Sequence, residues 1–95
     1  MTYELEFKKS ALKEWKKLGA TVQSQFKKKL ANILDNPHIS SSKLSGGNEL
    51  YKIKLREAGY RLVYEVNDTV ITVTVISVGK RDRGKVYKTA MDRIN

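Results

Sequence analysis

Hydrophobic positions along this chain change their spacing several times, and each change marks an element. Tyr3, Leu5 and Phe7 alternate with polar residues over positions 2–7, the period of a short strand. Ala11, Leu12, Trp15 and Leu18 then recur at helical spacing, with Ser10 as a cap and Gly19 at the C′ position. Thr21 opens a second helix whose apolar stripe is Val22, Phe26, Leu30, Ile33 and Leu34. Pro37 excludes Asn36 from the α region and ends it. The tight connection at Gly19 makes the two helices an antiparallel hairpin. Positions 38–48 are polar and rich in Gly and Ser, a loop with one cation, Lys43, and one apolar anchor, Leu44.

Three strands follow, over positions 49–56, 60–67 and 70–78, joined by links short enough for an antiparallel meander. A last helix runs from about Asp82, a good N-cap, through Val86, Ala90 and Ile94. The order β-α-α-β-β-β-α predicts a compact α+β fold with a largely antiparallel four-stranded sheet and helices packed on one face. No repeat or linker divides the chain, so residues 1–95 are expected to form a single domain.

The register of the central hairpin decides what its outer face presents. Ala58-Gly59 matches no favoured two-residue turn, so the turn leaves the register open. The apolar pattern closes it. Tyr51, Ile53 and Leu55 must share a face with Tyr60, Leu62, Tyr64 and Val66, because a slip of one residue would bury cations. Lys52, Lys54 and Arg61 then emerge together on the other face. The last strand exits at Gly79, which brings Lys80, Arg81 and Arg83 to one end of that surface, with Tyr87 about one and a half helical turns beyond.

Composition narrows the chemistry. The chain has 95 residues, 40% of them hydrophobic and 31% charged, enough for one core without covalent staples. It has no Cys, which excludes disulfides, thiolate nucleophiles and zinc-finger sites and suits a reducing cytoplasm. Positions 70–78, the longest apolar tract, are interrupted by threonines and far too short to span a bilayer, so a soluble, cytoplasmic protein is expected. The net charge of +9 and pI near 9.9 favour polyanionic partners: nucleic acid, or an acidic protein.

Cations fixed on a rigid sheet beside an aromatic ring suit RNA. Cleaving RNA without a metal takes a base for the ribose 2′-OH, positive charge for the crowded phosphate and help for the departing 5′-oxygen. An ordinary lysine is a poor base at neutral pH, but crowding Lys52, Lys54, Arg61 and Arg81 disfavours the ammonium and lowers at least one lysine pKa. Arg61 and Arg81 cannot sensibly lose a proton and suit charge stabilisation. Tyr87 is placed to stack on a base or to join a proton relay. Lys43, Arg56, Lys80 and Arg83 are the flanking cations read as RNA- or ribosome-binding. The same alternation of lysines also discourages pairing at an exposed edge strand, and spacing alone does not separate the two uses.

Ordered blocks of the sequence are similar to the RelE family of toxins, the ribosome-dependent mRNA interferases. They are Ala11-Leu12-Lys13-Glu14-Trp15 with Lys17-Leu18-Gly19, Tyr51-Lys52-Ile53-Lys54-Leu55-Arg56, Gly59-Tyr60-Arg61-Leu62-Val63-Tyr64 and Val75-Ile76-Ser77-Val78-Gly79-Lys80-Arg81. The resemblance spans essentially the whole chain. It implies the toxin of a type II toxin–antitoxin system, an enzyme that enters the ribosomal A site and cuts mRNA by attack of a 2′-OH on the adjacent phosphate, inhibiting translation. It further implies that Lys52 and Lys54 act in proton abstraction and phosphate binding, that Arg61 and Arg81 stabilise the transition state and leaving group, and that Tyr87 orients or stacks the substrate. The implied partners are the bacterial ribosome, mRNA and a RelB-like antitoxin that forms a hetero-oligomer repressing its own operon. No metal, cofactor, membrane or small-molecule ligand is implied.

The chain departs from the pattern at Ser45, where an arginine is usual, and at Gly84, expected early in the last helix and loosening its first turn. Some relatives use a Glu/His acid–base pair, but His38, the only histidine, reads as a solvated loop residue far from the cluster. A sister branch poisons gyrase and lacks the cationic set present here. A second charged region, eight lysines between positions 8 and 29 against Glu14 alone, reads as a solvated helix face or a shallow footprint on ribosomal RNA. A noncatalytic basic RNA-binding module is the competing function. A DNA-binding or corepressor role is expected only within a complex, since no helix-turn-helix pattern is evident.

Overall fold

A computed structural model describes residues 2–45, 49–82 and 84–94. The elements are β1 (Glu4–Phe7), α1 (Lys9–Lys16), α2 (Ala20–Ile33), a 3-10 turn (Ser40–Ser42), β2 (Leu50–Leu55), β3 (Tyr60–Asn67), β4 (Thr72–Lys80) and α3 (Lys85–Ile94). The order is the expected β-α-α-β-β-β-α. The strands form one sheet in the order β1-β4-β3-β2, with β1 parallel to β4 and the other two pairings antiparallel. No helix among the described residues is long and apolar enough to cross a membrane.

The hairpin register is the one that the apolar pattern demands. Tyr51 faces Tyr64, Ile53 faces Leu62, Leu55 faces Tyr60, and Lys54 lies directly opposite Arg61. Gly59 closes the turn at φ +74, with its amide on the Leu55 carbonyl at 2.8 Å, a conformation that glycine adopts without strain. The core between the sheet and the helical hairpin joins Trp15, Phe26 and Leu30 to Leu62, Tyr64, Val73 and Val75.

The helices do not all share a face. α1 and α2 cover one side, whereas Val86 and Ala90 of α3 pack on the other against Leu44, Leu50, Val63 and Ile76. The cations of β2 and β3 emerge on that second side, so α3 walls their surface instead of backing it. A β-bulge accounts for the second apolar patch. Val63 pairs with Ser77 and its neighbour Tyr64 with Val75, so Ile76 is an extra residue on β4. Val73 and Val75 face α1 and α2, Ile76 faces α3, and Val78 returns to the first side. Beyond the bulge the alternation has switched phase, and Gly79, opposite Arg61, lies on the cation face.

Several expected boundaries shift for local reasons. Ser10 lies inside α1, whose N-cap is the extended Lys8. Gly19 is not a left-handed C′ residue but the extended N-cap of α2, at φ −65 and ψ 156. The Lys17 and Leu18 amides already close α1 on the Glu14 and Trp15 carbonyls, so no reversal is needed. β4 starts at Thr72 rather than Val70 because the Asn67 side chain binds the amides of Thr69 and Val70, at 3.0 and 3.3 Å, and holds a turn there. α3 starts at Lys85, not Asp82. Asp82 accepts the Lys85 amide through its backbone carbonyl, and Gly84, at φ +76, forms the entry to the helix instead of loosening its first turn.

Candidate functional site

Lys54, Arg61, Arg81 and Tyr87 line one open cleft of about 290 Å³, bordered by Asp82, Gly84, Lys85 and Val86. Each arrives by a different route. Lys54 and Arg61 are paired across β2 and β3. Arg81 follows β4 past the bulge, and its amide is fixed to the Gly59 carbonyl at 2.7 Å. Tyr87 comes from the first turn of α3, which Ser77 fastens to β4 by donating to the Val86 carbonyl at 2.8 Å. Lys52 completes the group, with its Nζ 5.9 Å from the centre of the Tyr87 ring. That distance suits a cation–π contact, which orients ring and ammonium together.

The electrostatics of the cleft are one-sided. Arg61 is only 9% exposed, yet the one hydrogen bond of its side chain among the described residues is to the neighbouring Tyr60 carbonyl, at 3.1 Å. A guanidinium withdrawn from water without a carboxylate is costly and is preorganised for an incoming anion. Asp82 borders the cleft but forms no ion pair among the described residues. The Lys54 amine is held below its ordinary range, first by the charge of Lys52, then by burial, then by Arg56 and Arg61. Mutual repulsion thus lowers a lysine as the sequence predicts, with Arg56 contributing as well. The Tyr87 hydroxyl is buried without a hydrogen-bond partner among the described residues.

The flanking cations fare differently. Arg56 lines two further grooves that meet the first at Lys54, one with Gln25 and Lys29 of α2, the other with Ser41, Ser42 and Lys52. Lys80 borders a separate hollow beside Glu14, and Lys43 is bridged to Tyr51 at the edge of the sheet. Neither joins the cleft. Arg83 lies outside the described residues. Sequence reasoning missed Ser41, Ser42, Asp82 and Lys85. The last two follow Arg81 closely in the chain, whereas the serines reach the cations only by folding of the loop.

His38 lies, as expected, in an exposed loop away from the cluster, and it is also the hub of a polar network toward the opposite end of the hairpin. Its Nδ1 lies 2.9 Å from the Tyr51 hydroxyl and 3.2 Å from Glu49, and its Nε2 lies 2.8 Å from Asp68. Tyr3 donates to the same Asp68 oxygen at 2.6 Å. These hydrogen bonds, the Tyr3 bond first, hold Asp68 below the usual carboxylate range. His38, Glu49 and Asp68 are also the one group of metal-ligating type among the described residues, with ligand atoms within 4.8 Å of one another. The two imidazole nitrogens face different carboxylates, and the hydrogen bonds already account for the geometry.

The family model of the ParE toxin of type II toxin–antitoxin systems (parDE) matches residues 5–84. The chain is 56% identical over 94 residues to the mRNA interferase toxin RelE of Escherichia coli K12, covering 99% of both. It superimposes on a free-state structure of the E. coli toxin RelE carrying two arginine-to-alanine changes, with a TM-score of 0.92, 54% identity and full coverage of both chains. The toxin in the intact E. coli RelBE toxin–antitoxin complex matches with a TM-score of 0.82 and 57% identity, over 85% of this chain and 99% of that one.

Proposed function

The chain belongs to the RelE family of toxins, and from that membership we propose that it is an mRNA interferase that cuts ribosome-bound mRNA in the A site. One observation carries the reading to the residues: Lys54, Arg61, Arg81 and Tyr87 share a cleft, and Lys52 lies against the Tyr87 ring. In this reading the neutral amine of Lys54 takes the proton of a ribose 2′-OH. The 2′-oxygen then forms a bond to the adjacent phosphorus as the bond to the 5′-oxygen breaks. Lys54 is preferred to Lys52 as base because its neighbours favour the amine. Arg61 and Arg81 meet the charge that develops on the phosphoryl and leaving oxygens. Lys52 holds the phosphate, and Tyr87 offers its ring to a base.

Dependence on the ribosome follows from what the cleft contains. Lysine and arginine make no strong acid–base pair, so the rate depends on a phosphate held in line from outside. Ribosomal RNA gripping the codon supplies that alignment. The proposal extends to a single functional domain of residues 1–95, a cytoplasmic location and neutralisation by a RelB-like antitoxin, on the strength of the relatives solved with RelB. The test compares programmed ribosomes with naked mRNA, mapping the 3′ ends produced. Cutting is expected at the A-site codon only when ribosomes are present. Equal cutting of naked mRNA removes the dependence, and intact mRNA in both removes the activity and leaves the noncatalytic binding module.

A further inference from the structure

We infer that Glu14 and Arg93 are positioning residues for this site, a clamp on the β4 bulge that aims Arg81 and seats α3. The inference rests on the proposed function for its activity readout, but not for its geometry. β1 ends at Phe7, opposite Val75, and its last contact is the Lys8 amide on the Val75 carbonyl at 3.0 Å. Past that point no strand among the described residues lies beside the outer edge of β4, and it is there that Ile76 bulges out. Unpaired backbone groups at a bulge leave its conformation free to relax.

The edge is occupied instead by side chains from the two sides of the sheet. Glu14 reaches it from α1, and Arg93 from α3, 79 residues away. The two form a bidentate pair, at 2.9 and 3.1 Å. The same groups bond the strand: Arg93 donates to the Ile76 carbonyl at 2.7 Å, and the Val78 amide donates to Glu14 at 3.2 Å. Carboxylate and guanidinium therefore play the part of the missing strand, one accepting and one donating on either side of Ser77. Among the described residues Arg93 is the one lysine or arginine paired with a carboxylate, in a chain with an excess of cations.

The consequence for the site runs through the bulge. Because Ile76 is extra, Ser77 and Gly79 lie on the cation face, and Arg81 continues from them into the cleft. Ser77 also carries the bond to Val86 that holds the first turn of α3, next to Tyr87. If β4 relaxed to a regular strand, the phase past Val75 would reverse, turning Ser77, Gly79 and Arg81 away from Lys54 and Arg61.

The experiment measures single-turnover cleavage on programmed ribosomes and amide exchange for Arg93→Gln, Glu14→Gln and Arg93→Lys. Arg93→Gln and Glu14→Gln should each lower kcat about tenfold with KM changed less than about twofold, the mark of lost alignment rather than lost binding. Arg93→Lys, which can still reach the Ile76 carbonyl, should recover part of the loss. In an Arg81→Ala background the Arg93→Gln change should cost clearly less than about tenfold, because part of its effect passes through Arg81 and the rest through the seat of α3. Exchange should quicken at residues 76–81 and across α3 while the β2–β3 hairpin is unchanged. A full tenfold loss in the Arg81→Ala background overturns the inference, as does a lowered melting temperature with kcat intact. If the wild-type protein cuts nothing, the proposed function falls, and unchanged protection at residues 76–81 in Arg93→Gln then overturns the clamp on its own.

Discussion

At one end of the β2–β3 hairpin Lys54, Arg61 and Arg81 crowd together with no carboxylate bonded to any of them among the described residues. Toward the other end His38 lies between Asp68 and Glu49, and Tyr3 and Tyr51 complete the group. The same sheet carries both clusters, and both draw on a loop and a turn. The difference lies in what remains unsatisfied. The His38 ring and Asp68 are bonded within their own network, whereas no carboxylate among the described residues is bonded to the cation cluster. Polar groups that saturate one another serve the fold, and those held short of saturation are available for chemistry.

The largest expected effect comes from separating activity from stability at the cation end. Arg61→Met should reduce cleavage on programmed ribosomes about 100-fold, the loss typical when one preorganised donor to a developing anion is removed. It should also raise the melting temperature, because a buried charge without a partner is replaced by an apolar side chain of similar length. Paired measurements of rate and thermal unfolding decide the matter. A variant that melts lower and cuts normally would make Arg61 a structural residue and erase the contrast.

A smaller effect should appear in the pH dependence. Lys54 is depressed chiefly by Lys52, so Lys52→Ala should return its pKa toward the ordinary lysine value. The neutral amine is the active form, hence the rising limb of the pH–rate profile must move to higher pH. Arg56→Gln should move it the same way by less, since Arg56 ranks below Lys52 and burial among the causes. The linkage has a definite sign. Unfolded Lys54 binds its proton more tightly than folded Lys54, so the cluster costs stability below the folded pKa, and this cost is relieved as pH rises through it. A limb that stays in place in both variants would identify another group as the base.

How far the sequence reveals each end follows from how each is built. Lys52, Lys54 and Arg61 lie in strands whose apolar partners allow only one register, so pattern alone brings them together. The position of Arg81 just after the strand points it to the cation surface, but its aim depends on the bulge. Val73, Val75, Ile76 and Val78 do register that bulge as a slip in alternation, two apolar residues in succession where the strand changes face. The packing of α3 on the cation side depends on the same slip. The His38 network leaves no such trace, because its members come from the residue before β1, two loop positions, β2 and the β3–β4 turn, and only tertiary structure joins them. Glu14 and Arg93 are hidden for the same reason, standing at opposite ends of the chain.

At the His38 end the balance should reverse. His38→Ala removes contacts to Tyr51, Glu49 and Asp68 and should cost about 1–2 kcal/mol, in the range of one or two hydrogen bonds lost with their partners left behind. Cleavage per folded molecule should be unaltered. The pH dependence sharpens the point. Asp68 is depressed in the fold, so its contribution is present above the unfolded carboxylate pKa of about 3.9 and is lost as pH falls through the folded value. Asp68→Asn should therefore flatten the acid limb of the stability profile. Loss of cleavage in His38→Ala at full folding would show that the two ends communicate.

The smallest effect concerns the turn that carries Asp68. Ile71 follows it at φ +51, a left-handed conformation that a β-branched side chain adopts only under strain. Its carbonyl accepts the Glu4 amide at 3.0 Å, tying the start of β1 to the turn, and that bond survives any change of side chain. Ile71→Asn replaces the residue with one that tolerates this backbone, at the expense of a half-buried side chain. Relief of strain should outweigh the lost contact and stabilise the protein by about 0.5 kcal/mol. Ile71→Val keeps the branch and should give no gain, and Ile71→Gly should gain less than Asn because glycine leaves the unfolded chain freer. Thermal unfolding of the three variants separates the terms. If Asn melts below the parent, packing outweighs strain, and the backbone that positions Asp68 is held by the side chain of Ile71 rather than in spite of it.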